Sequence, residues 1–502
     1  MASGTLTSRI LGLLRDMALG ALFDRGVTDA WTAAFRLPNF FRRLLGEGSL
    51  SVSFIPVFME AHAGDSSGVR ARNLMNSLYS FLLIALGIGT LLGIIYIEPL
   101  FHLLLSDAFT ANPAKWELTL RLGRIMFGFV FFVSGYAFYM GILNALGSFG
   151  LPAAAPALLN ISMLVFTFMP QEWFPQKGDG LAWGVLVGGL LQAVLLAIAL
   201  KGRDYFPRFQ LLFWSGDLKT VLRGMGPGLV GMGLMQFSTL VNLYFASSLS
   251  EGSISYIYWA DRLLELPLSL ISVSLGAALL PTLSHLASQG LFEKFRETAQ
   301  ESFLMNLFLA WPAALGLFFL AEPIVETLFL RGHFGQADLV ATASILKIYA
   351  ISLVMISCSR VLMPLYYAMK NTAMPMVLAL FCLLLHVLMA PMFMRQWGLQ
   401  GLLLSGLFSA FVNASMLMLG LARWGVGFEF RKIFFSGAKF LVAGGGLVAV
   451  LMSYGFLLEF IGRGLQMLAL LMTIVFATIV YFGLAALLKC EEFSKIRPSF
   501  RP

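Results

Sequence analysis

The stretch FRLPNFFRRLLGEGS, Phe35 to Ser49, sets Arg36, Arg42, Arg43 and Glu47 among Phe, Leu and Pro. Two other stretches do the same: SRILGLLRD carries Arg9, Arg15 and Asp16, and YWADRLLELP carries Asp261, Arg262 and Glu265. A guanidinium is a permanently charged planar fork whose donors match a phosphate or carboxylate bidentately. Held near the centre of a membrane it costs about 2.5–3.5 kcal/mol on insertion scales, so it faces a partner or a wet cavity. Two readings follow. Asp261 with Arg262 and Glu47 with Arg43 can be local ion pairs that let their helices fold, or the surplus guanidiniums hold a polyanion. Arg9 and Asp16, seven residues apart, are expected on one helix face, with Arg15 turned about 120° from Arg9.

The elements that position these charges are membrane helices. Of 502 residues, 59% are hydrophobic and 12% charged, against about 25% charged in soluble domains. Apolar runs of about 20 residues recur along the chain, each long enough for a hydrocarbon core of about 30 Å. They lack the period-two alternation of a membrane barrel, and a helix satisfies its own backbone in lipid. We expect an all-α integral membrane bundle of about 14 spans. These begin near Leu6, Asp29, Leu74, Trp116, Leu151, Leu181, Val221, Ser255, Phe303, Leu339, Met374, Leu399, Ile433 and Leu465. The N-terminal stretch reads as the first span rather than a signal peptide, because Arg9, Arg15 and Asp16 interrupt it.

A repeat runs through these spans. EPLFHLLLSDAF from Glu98 matches EPIVETLFLRGHF from Glu322, 224 residues on, and ALGSFGLP from Ala145 matches AMKNTAMP from Ala368, 223 on. The chain therefore reads as two parallel six-helix lobes around a central cavity, followed by an unmatched pair of spans. The expected division is residues 1–203, a cytoplasmic linker at 204–220, a second lobe at 221–427, a pair at 428–488 and a tail at 489–502. The linker mixes aromatic and basic residues as a segment lying on anionic lipid would. The Lys and Arg of the connections fall mostly on one side, which places both termini in the cytoplasm.

Several classes are excluded or disfavoured. Net charge is +8, but no basic soluble domain carries it, so nucleic acid is not a partner. Cys358, Cys382 and Cys490 form no CxxC, and the His residues no HExxH. Neither a Walker A loop nor a paired-Asp motif is present, so no metal or cofactor is expected and the chain reads as a non-enzyme. An exporter of cationic drugs would want an acidic or aromatic cavity, against the Arg excess. A flippase for another polyprenyl-linked glycan shares the phosphate chemistry and stays open, as does a membrane scaffold that recruits cell-wall synthesis proteins. Asn160, Gln192, Asn242 and Asn413 read as interhelical hydrogen bonds, and Pro38, Pro56, Pro227, Pro267, Pro281 and Pro364 as packing relief or hinges.

Together with TDAWTAAFRLPNFFRRLLGEGSLSVSFIPV (Thr28–Val57) and APALLNISM (Ala155–Met163), the Arg-bearing motifs closely resemble the MurJ (MviN) family. The resemblance covers nearly the whole chain and is strongest in the first sixty residues. It implies the fold shared with MATE exporters in the MOP superfamily, and a flippase of the bacterial cytoplasmic membrane that carries lipid II for peptidoglycan synthesis by alternating access. It places the cavity arginines at Arg9, Arg15, Arg42 and Arg262, and an important acid at Asp29. Arg36, Asn39, Arg43, Glu47, Asp261 and Glu265 support them from the same motifs. The final pair of spans would form a groove for the lipid tail. Where some members carry an acidic sodium ligand in the seventh helix, this sequence has Asn242. Membrane potential is the expected drive.

Overall fold

The computed structural model describes residues 2–44, 50–64, 68–203, 205–423 and 425–496. Among these the chain is helical and without strands, and it divides into two compact units. The first comprises residues 1–255 with 331–333, and the second residues 256–330 with 334–502. The repeat and the packing thus divide the chain at different places, because the helix that begins the second repeat packs with the first unit.

In the first unit the helices are α1 (Ala2–Leu22), α2 (Arg25–Leu44), α3 (Leu50–Ala63), α4 (Val69–Ile95), α5 (Ile97–Leu104), α6 (Asp107–Thr110), α7 (Pro113–Ala145), α8 (Gly150–Ala154), α9 (Pro156–Phe168), α10 (Asp179–Lys201) and α11 (Gly216–Ser247). α7 starts where its sequence says a helix should. Pro113 supplies the first position, and the Asn112 side chain accepts from the Lys115 amide. α11 starts likewise on Ser215, whose hydroxyl accepts from the Leu218 amide. The core joins α3, α4, α7, α10 and α11 through Phe54, Phe58, Leu78, Phe138, Leu196 and Val221, all essentially inaccessible to solvent.

The second unit holds α12 (Ser253–Leu268, whose first turn belongs to the first unit), α13 (Ser274–Ser288), α14 (Phe292–Phe319), α15 (Ala321–Phe329), α16 (Gln336–Ala368), α17 (Ala373–Arg423), α18 (Phe430–Met452), α19 (Tyr454–Ile461), α20 (Gln466–Leu487) and α21 (Glu491–Ile496). Its helices restate those of the first. α7 and α16 are both 33 residues long and start 223 residues apart, and α4 and α14 each run straight into a short helix, α5 and α15. The repeat differs at one corner. Residues 169–178 form an irregular connection between α9 and α10, whereas α17 reverses at Gly398 (φ 53°, ψ −128°) within 51 residues. Only glycine adopts that backbone freely, and a Cβ on nearby Gly401 would collide with the Phe393 carbonyl.

Among the described residues, nine helical stretches are long and apolar enough to cross a membrane. One of them, α17, contains two of the expected spans, on either side of Gly398. α1 and α2 fall outside that set because of their charges, which are the residues of interest. The closing pair, α18 and α20, packs on α14 through Phe308, Phe440 and Tyr481. That contact has a specific cause. Pro312 has no N–H, so the Phe308 carbonyl four residues back loses its helical donor. The Tyr481 hydroxyl donates to it at 2.9 Å.

Candidate functional site

α2 carries four Arg and one Asp. Its first half is packed, with Trp31 stacked on Phe35 and both buried. Arg36, Asn39 and Arg43, spaced three and seven residues along, share one face, and with Arg42 all four are half-buried. Arg42 Nε donates to Asn39 Oδ1 at 2.9 Å, one turn back, which sets the direction of the guanidinium fork. Pro38 lies inside the helix between these residues. Glu47, expected to accompany Arg43, lies outside the described residues.

The carboxylates on α1 and α2 are already engaged. Asp16 is fully buried and takes two hydrogen bonds from Arg15, at 2.7 and 2.9 Å on one oxygen. Arg15 also donates to Asn160 Oδ1 at 2.9 Å, and the Asn160 amide donates to the Ser8 carbonyl at 2.7 Å. Asn160 is thus the interhelical hydrogen bond its isolation in an apolar run suggested, tying α9 to α1. Arg15, at 4% exposure, thereby braces α1 against α9. Arg9, further toward the start of α1, is half-buried.

Asp29, 1% exposed, is an anchor point within the first unit. Lys115 Nζ donates to Oδ2 at 2.9 Å, as does the Gly252 amide at 2.8 Å. The Ser255 amide and hydroxyl donate to Oδ1 at 3.0 and 2.7 Å. The carboxylate therefore sits on the amides that open α12, where a helix leaves donors without intrahelical acceptors. Sequence reasoning missed Lys115, which reads as an ordinary loop lysine. Its only signal was the Asn112–Pro113 helix start, which fixes where it emerges. Beyond the spans, burial acts to raise Asp24 in the α1–α2 turn, but the Val27 amide and Lys177 outweigh it and hold the carboxyl below its usual range.

In the second unit Arg262 on α12 is half-buried, and residues of its own helix help to orient it. It donates to Glu265 at 3.2 Å and to the Tyr258 hydroxyl at 3.2 Å, and its guanidinium lies 5.0 Å from the Tyr258 ring centre. Asp261 is half-buried beside it. Asn242 lies half-buried on α11. No group of three His, Cys, Asp or Glu that could hold a metal occurs among the described residues.

Long apolar helices in two repeating units, with cationic forks on the helices that open each repeat, define a multi-pass membrane transporter. Two solved structures share this fold. "Lipid II flippase MurJ, inward closed conformation" aligns with a TM-score of 0.78 at 22% identity over 96% of this chain and 98% of its own. An inward-facing multidrug resistance MATE family transporter of the MOP superfamily aligns with a TM-score of 0.71 at 19% identity over 84% of this chain and 94% of its own. The family model described as lipid II flippase MurJ matches residues 19–473, and the chain belongs to that family. A Bdellovibrio bacteriovorus protein named probable lipid II flippase MurJ is 68% identical over 502 residues, all of this chain and 96% of that one. The lipid II flippase MurJ of Burkholderia cenocepacia is 33% identical over 427 residues, 84% of this chain and 82% of that one.

Proposed function

We propose that this protein moves lipid II, the polyprenyl-pyrophosphate-linked precursor of peptidoglycan, from the cytoplasmic to the outer leaflet of the bacterial cytoplasmic membrane, with both its termini in the cytoplasm. Family membership along nearly the whole chain is the observation that carries the reading. The residues fit it. A diphosphate crossing hydrocarbon meets a large desolvation cost unless its charge is compensated. Arg42, aimed by Asn39, and the half-buried Arg9 and Arg262 supply bidentate donors of the right sign. Arg36 and Arg43 add positive potential on α2, and Arg15 and Asp29 hold the helices in place. The headgroup is carried by alternating access, with the lipid tail left in the membrane.

Complementation tests this. In a strain depleted of its own lipid II flippase, the wild-type chain restores growth and Arg42→Ala, present in the membrane at equal level, does not. Growth with both would remove Arg42 from substrate binding, and growth with neither would remove the proposed substrate.

A further inference from the structure

The connection between α10 and α11 is not a solvent loop. From Tyr205 to Ser215 it is non-helical, and it lies along α4. The Arg208 amide donates to Asn76 Oδ1 and the Gln210 amide to Ser80 Oγ, both at 2.8 Å. Ser80 is itself directed by donating to the Asn76 carbonyl at 2.8 Å. Phe213 packs on Phe81, with ring centres 6.4 Å apart. At its two ends the segment is tied down. Tyr205 meets His62 and lies under Arg72, and Asp217, just past the Ser215 cap, pairs with Arg70.

The apolar run of α4 begins at Leu74, so at 1.5 Å rise per residue Asn76 lies about 3 Å and Ser80 about 9 Å inside it. Irregular backbone at that depth needs partners for its amides, and the Asn76 and Ser80 side chains of α4 provide two of them. The next residues, Leu211, Leu212 and Trp214, are 85%, 95% and 67% exposed. Around them Lys201, Arg203, Arg208, Lys219 and Arg223 are exposed, whereas Asp217 is spent on Arg70.

We infer that residues 205–215 form a re-entrant wedge that inserts Leu211, Leu212 and Trp214 into the boundary between headgroups and acyl chains, while the flanking basic residues bind anionic phospholipid. The occupant of this exposed apolar apex is the bilayer itself. A depth of about 9 Å is where interfacial segments rest, and the charge that surrounds the apex matches an anionic leaflet. The inference requires a membrane protein and is independent of the substrate it carries.

The test uses the full chain in vesicles of phosphatidylcholine with and without phosphatidylglycerol. The signal of Trp214 among the 9 tryptophans is the difference between wild type and Trp214→Phe. It should be quenched several-fold more strongly by lipid brominated near the top of its acyl chains than by aqueous acrylamide. Phosphatidylglycerol should strengthen lipid quenching, and Arg203→Gln with Arg208→Gln should flatten that dependence. Asn76→Ala with Ser80→Ala, or Leu211→Asp alone, should expose Trp214 to acrylamide. A Trp214 signal quenched by acrylamide and untouched by brominated lipid would overturn the wedge, and an unchanged phosphatidylglycerol dependence in the Gln variants would overturn the anionic-lipid contact.

Discussion

Asp29 and Arg42 show how differently two intramembrane charges are used. The Asp29 carboxylate is 2% exposed, accepts from Lys115 and from the amides that open α12, and has no freedom to spend on a ligand. Removing one partner of a buried ion pair typically costs about 3–5 kcal/mol, because the other charge is stranded. Asp29→Asn should therefore lower unfolding stability in detergent by that order, and adding Lys115→Met should recover part of the loss. Arg42 has a different dependence on shape. Its Nε donates to Asn39 Oδ1, which helps to aim the fork, so Arg42→Lys, which keeps the charge and loses the planar fork, should abolish most transport in reconstituted vesicles without loss of thermal stability. Asn39→Ala should give an intermediate rate. Equal transport by Arg42→Lys and wild type would show that charge alone suffices.

At the scale of elements, two irregularities need specific partners. Pro312 leaves the Phe308 carbonyl of α14 without a helical donor, and Tyr481 of α20 fills the vacancy. Tyr481→Phe keeps the ring packing and leaves that buried carbonyl unsatisfied, a cost of about 1–3 kcal/mol. It should appear as faster proteolysis or earlier unfolding of the closing helix pair. At the foot of α4, the Arg70 guanidinium donates twice to Asp217 and holds its carboxyl below the ordinary value of 3.8, with burial acting in the opposite direction. A carboxyl depressed on folding contributes stability above its unfolded pKa and loses it as pH falls through the folded value. The pair is partly exposed, so the effect is small, about 0–1 kcal/mol. Asp217→Asn should flatten the dependence of thermal stability on pH below about 4, leaving neutral-pH stability within that margin.

For the whole molecule, the chain passes between its two compact units at residues 255–256, 330–331 and 333–334. The first of these crossings lies in the opening turn of α12, which Asp29 grips. A carrier that resets while its helices bear net positive charge is sensitive to voltage, at about 2.3 kcal/mol per charge moved through 100 mV. With α2 carrying four Arg and its single Asp neutralised by Lys115, collapse of an inside-negative potential should slow headgroup exposure in reconstituted vesicles several-fold. Steady activity at zero potential would assign the energy to another source.

Much of this was readable along the chain. A backbone in lipid must satisfy its own hydrogen bonds, so helices follow from local apolar runs, and each of the expected spans begins in or beside a helix of the structure. The repeat was readable too, because α7 and α16 keep both length and spacing, and so was the rarity of the arginines. Their partners were not. Asp16 accepts from its neighbour Arg15, Asp29 found a lysine 86 positions away, and Tyr481 found a carbonyl 173 positions back. Such choices depend on which helices lie side by side and how each is rotated, and a residue pattern with one helical period constrains neither. The linker belongs to the same class: its composition suggests an interfacial segment, whereas its seat on α4, with the amides of Arg208 and Gln210 on Asn76 and Ser80, depends on tertiary contact.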